Sequence, residues 1–552
     1  MLRFFFCCLL LWQLPLAAKV HKPHLHASWS PDKKIKAIKL TGWRGERLSA
    51  TAWIQVETAA KEPLRLRLKS SQKAGCRLVV AEELHTMRQS SIGFISDILT
   101  DSFNTCGQHP EGLTPYPIPD IIETDTALVL QEGTLKPLWC TIEIPYDIQA
   151  GNYQLQVEAI GTKSRKPLTT LQLEVEVLDR SMPTPEKTTF HTDFWQQPYA
   201  VSRYYHVERW SQQHFDLLRP YLQLLARAGQ SVATAILFYE PWGDQSHDKF
   251  DAMIKTRRDG EGNWHYDYTV FDHWIELCDS CGINRQINCY SMVPWDMSFQ
   301  YEQEVKGGQD VKEITLKTTT DSQAYRELWI PFLQAFARHL KEKGWFEKTC
   351  IAMDERGLKN MLDAYEIAHE AVPDIKMALA GNRHEELVDK LFDYCIPFGH
   401  HFTQQERTLR KEKGMITTMY TCCTESFPNI FSNSQPIEGT FLPLYAVANG
   451  FDGYLHWSWM NWNDDPLHDT RYRLFGSGDT FCIYPGPRSS VRFEHYIKGV
   501  QLAEKVRILL IEYQGAKRQK LSDALNAFKA VPHSAEEIKQ LVDSLELLVN
   551  TH

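Results

Sequence analysis

Net charge is small for this 552-residue chain: Lys, Arg, Asp and Glu make up an ordinary 23%, and the formal net charge is only −9. No Lys/Arg block is long enough to form a nucleic-acid footprint, so nucleic acid is excluded as a partner. A neutral or weakly charged substrate fits better than a polyanion. Long apolar runs are also lacking. The one at Phe4–Leu16 is too short to span a bilayer and no second run follows, so no transmembrane span is expected. Cysteine has no framework. Of thirteen, Cys7 and Cys8 sit in that first apolar stretch and the other eleven are irregularly spaced. Cys278 and Cys281 form a CxxC, but no second Cys or His pair completes a zinc set, so the motif reads as a coincidence on a helix.

Aromatic residues are what the chain has in quantity, with 16 Trp and 22 Tyr. In a surface cleft such rings stack on the apolar faces of sugars; in a core they supply burial. The first residues read as a signal peptide over 1–18. Arg3 supplies the positive charge, Phe4–Leu16 the apolar stretch and Leu16-Ala17-Ala18 a small-residue cleavage site. The expected location is therefore secreted or periplasmic, with an uncleaved anchor as the alternative. Export permits disulfides without requiring them.

The length exceeds one ordinary core. Residues 27–182 read as a β-sandwich: short, partly alternating runs at Ile35–Leu40, Ser49–Glu57, Leu64–Lys69, Arg77–Ala81, Leu138–Ile144, Tyr153–Ala159 and Leu171–Leu178, with no long helix between them. A proline-bearing linker at Arg180–Glu186 follows. Over residues 188–512 strands and helices alternate. Eight apolar strands are expected at Thr189–Trp195, Ser231–Phe238, Arg285–Met292, Cys350–Asp354, Lys376–Ala380, Tyr394–Pro397, Met415–Tyr420 and Gly453–Trp457. The helices between them are expected at Ser211–Ala228, Phe271–Cys281, Ala324–Lys343, Met361–Ala371, His384–Phe392, Gln404–Lys413 and Pro443–Asn449, with Val491–Leu510 closing the set. Eight strand–helix units predict a (β/α)8 barrel of the TIM type. An open doubly wound sheet is the alternative, but no Gly-rich phosphate loop follows the first strand. Residues 513–552 predict a short helical tail, with apolar positions at Leu541, Leu545 and Leu548.

In such barrels chemistry sits at the C-terminal strand ends. The fourth strand runs into Asp354-Glu355-Arg356-Gly357. Two carboxylates closing an apolar strand are costly if buried and unpaired. An acidic pair on a helix would be a solvated face; one that closes a strand points to catalysis. Strand alternation would send neighbouring side chains to opposite faces, unless the chain is already turning into its loop. Adjacent acids also cannot flank a sugar from both sides as an ordinary retaining pair does. They suit a division of labour, one moving the proton and the other handling a substrate group. The eighth strand feeds into Trp457, Trp459, Asn461, Trp462 and Asp464, where Trp can floor a sugar subsite and Asn461 or Asp464 can hydrogen-bond it, although at least one of these Trp belongs to the core. His191, Asp193 and Trp195 on strand one, Tyr290 on strand three, Asn382 and Arg383 after strand five and Tyr420 on strand seven add further polar or aromatic tips.

The residues from Tyr454-Leu455-His456-Trp457 through Asn461-Trp462, Asp465-Pro466-Leu467, Asp469-Thr470-Arg471, Gly478-Asp479-Thr480, Tyr484-Pro485-Gly486 and Arg492-Phe493-Glu494, with the Asp354-Glu355 pair, make the chain resemble glycoside hydrolase family 123, the β-N-acetylgalactosaminidases. The likeness runs over roughly residues 130–510 and is strongest after 450. It implies an N-terminal β-sandwich, a C-terminal barrel and retaining, substrate-assisted catalysis in which the 2-acetamido oxygen attacks the anomeric carbon and forms an oxazoline. Glu355 then matches the general acid/base and Asp354 the residue that orients the acetamido group. Trp195, Tyr290, Tyr420, Trp457 and Asn461 are the candidate sugar contacts, Tyr420 and Trp457 by resemblance. His456 departs from the pattern, where a basic residue such as Arg is expected. Neither a metal nor an organic cofactor is expected, since proton transfer and an internal nucleophile suffice. The expected substrate is a terminal β-GalNAc glycan or glycolipid. The alternatives are β-GlcNAc with the same mechanism, and a non-catalytic glycan-binding protein on a barrel scaffold.

Overall fold

The computed structural model describes residues 24–59, 62–70, 90–124, 126–305 and 310–551. The expected signal peptide and the strand expected at Arg77–Ala81 lie outside the described residues.

Two sheets face each other in the N-terminal part. One orders its strands His24–Ser28, Arg47–Thr58, Leu135–Glu143, Ser91–Thr100 and Tyr116–Thr124; the other orders Ala37–Arg44, Pro167–Ser181, Gly151–Gly161 and Leu64–Ser70. Alternate side chains from both, such as Ile54 and Leu138 against Leu155 and Leu173, share one core, which makes the unit a sandwich. The strands at Ser91–Thr100 and Tyr116–Thr124 were not expected. Tyr116–Thr124 carries Pro117 and Pro119, which a ladder tolerates only at an edge, and an edge is where it lies.

Eight parallel strands then form the barrel: His191–Phe194 (β1), Val232–Ile236 (β2), Gln286–Tyr290 (β3), Thr349–Met353 (β4), Lys376–Ala380 (β5), Asp393–Pro397 (β6), Ile416–Tyr420 (β7) and Gly453–His456 (β8). Each expected strand is present, and the hydrogen-bonded order is β1-β8-β7-β6-β5-β4-β3-β2. Closure between β1 and β2 is nearly complete. Backbone pairing there is reduced to a bridge at Thr192 and Gln230, and two glutamine side chains fill the seam. Gln230 accepts from the Phe194 N–H (2.9 Å) and donates to Phe194 O (3.1 Å) and Val232 O (2.7 Å), while Gln196 accepts from the Thr234 N–H (2.8 Å). Side-chain amides thus do the work of the missing ladder, satisfying buried backbone groups.

Ser211, Ser322, Thr403 and Ser490 each accept a backbone N–H at the start of the helices Gln212–Arg227, Gln323–Lys343, Gln404–Glu412 and Val491–Glu512. The helix expected at His384–Phe392 is only a 3-10 turn at Glu385–Leu387. The loops after β2 and β3 grow a four-stranded sheet of their own, Lys255–Arg258, Trp264–Asp267, Ser298–Glu304 and Val311–Lys317. The tail forms the helices Gly515–Asn526 and Ala535–Val549, whose Leu521, Val542 and Leu545 join the barrel's own core, with Leu541 and Leu548 packed at its margin. Cys278 and Cys281 are buried free thiols at the end of the helix Thr269–Ser280. No helix among the described residues is long and apolar enough to cross a membrane.

Candidate active site

The strand β4 stops at Met353, so alternation no longer binds the two acids that follow. Asp354 turns the chain itself: its Oδ1 accepts the N–H of Glu355 at 2.7 Å. Its Oδ2 accepts the indole N–H of Trp295 at 2.9 Å. Trp295 comes from the loop after β3 and is held on two sides. Its backbone N–H reaches Pro241 O (2.9 Å), and the Arg356 guanidinium lies 4.8 Å over its ring while donating to its carbonyl at 3.1 Å. Asp354 is 9% exposed. Burial pushes its pKa up to about 6, with the nearby Glu355 charge adding to the rise and the two N–H donors and Arg356 opposing it.

Glu355 is exposed at the mouth. The hydroxyl of Tyr420, at the end of β7, donates to its Oε1. Gly381, just past β5, leaves it room: a Cβ there would stand 3.3 Å from Glu355 Cα, closer than ordinary contact. The two acids are therefore neighbours in sequence with different surroundings, one sheltered and clamped by donors, the other open and held by a phenol. Trp295 carries no motif, and sequence reasoning missed it.

Trp457, just past β8, is half-buried. Its indole N–H donates to Asp479 Oδ2 at 3.0 Å and its ring lies 4.8 Å from Phe475. Asp479 is fully buried, which pushes its pKa up to about 7. Trp459 and Trp462 are core residues with no exposure. Trp195 and Tyr290 are 4% and 1% exposed and pack together with Trp242, at 4.8 Å and 5.1 Å from Tyr290. They stand beneath the mouth. Asn461 is likewise buried, and its side-chain oxygen accepts the His247 N–H at 2.9 Å.

His456, the residue that departs from the pattern, is wholly buried. Burial lowers its pKa to about 3, and its Nε2 lies 3.1 Å from Asp479 O. His191 opens β1 rather than ending it and faces Asp393 at 3.4 Å, at the far end of the barrel from the acid pair. Asp193 points into the barrel interior, 1% exposed and 3.4 Å from Asn288 Nδ2, with burial and the Asp393 charge holding its carboxyl well above the usual range. Asp464 points outward, 87% exposed, against His247 at 3.0 Å. Arg383 is committed to Glu406.

Several of the residues that carry the sequence resemblance hold the two domains together. Arg492, 2% exposed, joins Asp120 of the sandwich (2.9 Å) to Ile430 O, Gly478 O and Phe481 O in the barrel loops. Tyr484 donates to Asp120 at 2.5 Å, and Glu494 accepts from Arg47 at 2.6 Å and 2.8 Å.

The sequence pattern of the glycoside hydrolase 123 catalytic domain matches residues 195–509, and that of the glycoside hydrolase 123 N-terminal domain matches residues 24–160. Among solved structures the chain is similar to a family 123 glycoside hydrolase from Clostridium perfringens, studied for the details of glycolipid glycan hydrolysis. The identity is 25%, the match covers 96% of this chain and 98% of that one, and the TM-score is 0.82. An amylomaltase from Corynebacterium glutamicum matches at 9% identity over 84% of this chain and 89% of its own, with a TM-score of only 0.27. No curated protein matches the chain.

Proposed function

The chain belongs to glycoside hydrolase family 123, and from that membership we propose that it is a retaining exo-glycosidase releasing terminal β-linked N-acetylgalactosamine from glycolipids or glycans. The observation that carries the reading is the unlike pair Asp354 and Glu355 on one side of one mouth. The protonated Glu355 gives its proton to the glycosidic oxygen as the bond from that oxygen to C1 breaks. The substrate's acetamido carbonyl oxygen forms the new bond to C1, and Asp354 takes the hydrogen bond of the acetamide N–H, raising the negative character of that oxygen. The Glu355 carboxylate then takes a proton from water as the water attacks C1 and opens the oxazoline. Two inversions leave the configuration unchanged.

The positions of Asp193 and Asp464, the two acids that the strand ends offer as alternatives, fit an internal nucleophile. Asp193 lies inside the barrel and Asp464 faces solvent beside His247, so neither is placed to oppose Glu355 across a sugar ring. Trp457, held by Asp479, offers a ring at the same mouth as floor for the terminal sugar. The signal-like sequence at residues 1–18 supports action outside the cytoplasm.

Hydrolysis of paired aryl β-GalNAc, β-GlcNAc and β-galactoside substrates tests the proposal. The expected order places GalNAc first, with the galactoside inert. Preference for GlcNAc would change the sugar and keep the mechanism. Glycan binding without release from any of them would make the barrel a binding scaffold.

A further inference from the structure

The loop of residues 101–115, between the sandwich strands Ser91–Thr100 and Tyr116–Thr124, leaves its own domain and is fastened to the rim of the barrel. Two independent connections from the site converge on its tip. From the acid side, Tyr420 touches Glu355, and Cys423, three residues on and so within about 11 Å along the chain, is disulfide-bonded to Cys106. From the side of the aromatic floor, Trp457 packs on Phe475, and the preceding Leu474 carbonyl accepts the Gly107 N–H at 3.1 Å. The His109 N–H reaches Arg473 O at 2.9 Å. The base of the loop is equally fixed. Asp101, with no exposure, accepts from the Phe103 N–H (2.9 Å) and the Ser477 hydroxyl (3.0 Å), and its carbonyl accepts from Asn433 (2.6 Å).

We infer that this loop, with the segment after β7, forms the subsite for the leaving-group sugar, so that the N-terminal domain contributes to substrate binding. The inference rests on the role proposed for Glu355. The acid that protonates the glycosidic oxygen must have the leaving group on its own side, and that side is bounded by Tyr420, Cys423 and the disulfide-linked tip. The tip presents the exposed polar side chains of Thr105 and Gln108, an acceptor and donor set suited to sugar hydroxyls. Nothing lies within 4 Å of a Cβ built on Gly107, so the tip itself is uncrowded. The ligand is a neutral saccharide. Among the described residues the guanidiniums next to the tip are already matched, Arg471 with Asp469 and Arg473 with Asp244, which favours a neutral over an anionic sugar.

The test compares kcat/KM on a neutral oligosaccharide ending in β-GalNAc with kcat/KM on an aryl β-N-acetylgalactosaminide, which carries no second sugar. In the full-length Thr105→Ala/Gln108→Ala variant the ratio of the two is expected to fall at least tenfold, mainly through KM for the oligosaccharide. The Cys106→Ser/Cys423→Ser variant, which frees the tip, should show the same fall. Because loss of a long-range crosslink can cost folding, the surface pair decides the matter. A ratio within twofold of the parent protein, at an unchanged melting temperature, would overturn the subsite. Failure of the underlying reading appears elsewhere, as full activity of Glu355→Gln on the oligosaccharide.

Discussion

Replacing Trp295 by Phe keeps a flat ring under Arg356 and removes one N–H. That N–H lies 2.9 Å from Asp354 Oδ2 and is the foremost group opposing the rise of the Asp354 pKa to about 6. A hydrogen bond to a charged group contributes about 1.5–3 kcal/mol, and one pKa unit corresponds to about 1.4 kcal/mol, so its loss should raise the pKa by about one to two units. The sign follows directly. The ionised carboxylate accepts the acetamide N–H, so a higher pKa leaves less active enzyme at a given pH. At pH 7 the ionised share falls from about nine-tenths to between about one-half and one-tenth, and kcat/KM should drop about two- to tenfold. At pH 9 the two proteins should converge, because both are then largely ionised. The assay is the pH profile of kcat/KM on an aryl β-N-acetylgalactosaminide, with thermal melting as the fold control. The acid limb should move up by about one to two units. A limb that stays in place, with the rate reduced equally at every pH, would refute the argument and leave Trp295 a packing residue.

Glu355→Gln should lower turnover of a disaccharide by about 10²–10⁴-fold and affect an activated aryl substrate less in the first step; unchanged disaccharide turnover would remove Glu355 from the mechanism. A β-galactoside without the 2-acetamido group should be inert, and a thiazoline mimic should inhibit competitively and more weakly in Asp354→Asn; trapping of a glycosyl ester on a carboxylate would end substrate assistance. Trp457→Ala should weaken terminal-sugar binding, seen by ligand titration; a collapse in melting temperature with unchanged affinity in the folded fraction would make the ring structural. Arg492→Met strands the buried Asp120 carboxylate and should cost about 3–5 kcal/mol in denaturant melts, far more than any surface Arg substitution.

The barrel was legible because its eight strands are short buried apolar runs separated by amphipathic helices, a pattern that burial imposes on sequence. The acid pair was legible for a related reason: charges at the end of such a run have no place in a core. Where the surface, or the path of a connection, decides the structure, the pattern was silent or misleading. The sheet built from Lys255–Arg258, Trp264–Asp267, Ser298–Glu304 and Val311–Lys317 is largely half-buried or exposed and so lacks a continuous apolar face. The apolar positions Leu387 and Leu391 suggest a helix over His384–Phe392, and both are indeed buried. Yet the connection from β5 to β6 takes a single 3-10 turn at Glu385–Leu387 and then a non-helical turn, which buries the same two leucines without a regular helix. Composition likewise could not rank the aromatics. Trp195, Trp459 and Trp462 went inside and Trp457 stayed at the mouth, because exposure depends on which strand ends and loops surround each ring. The sequence alone determined the domain classes, the strand order and the place of Asp354 and Glu355, all written in local periodicity. The clamp of Trp295 on Asp354, Tyr420 on Glu355, and the tip at Cys106 and Gly107 brought to the barrel rim were decided only by tertiary structure, since each joins residues tens to hundreds of positions apart through contacts that leave no periodic trace.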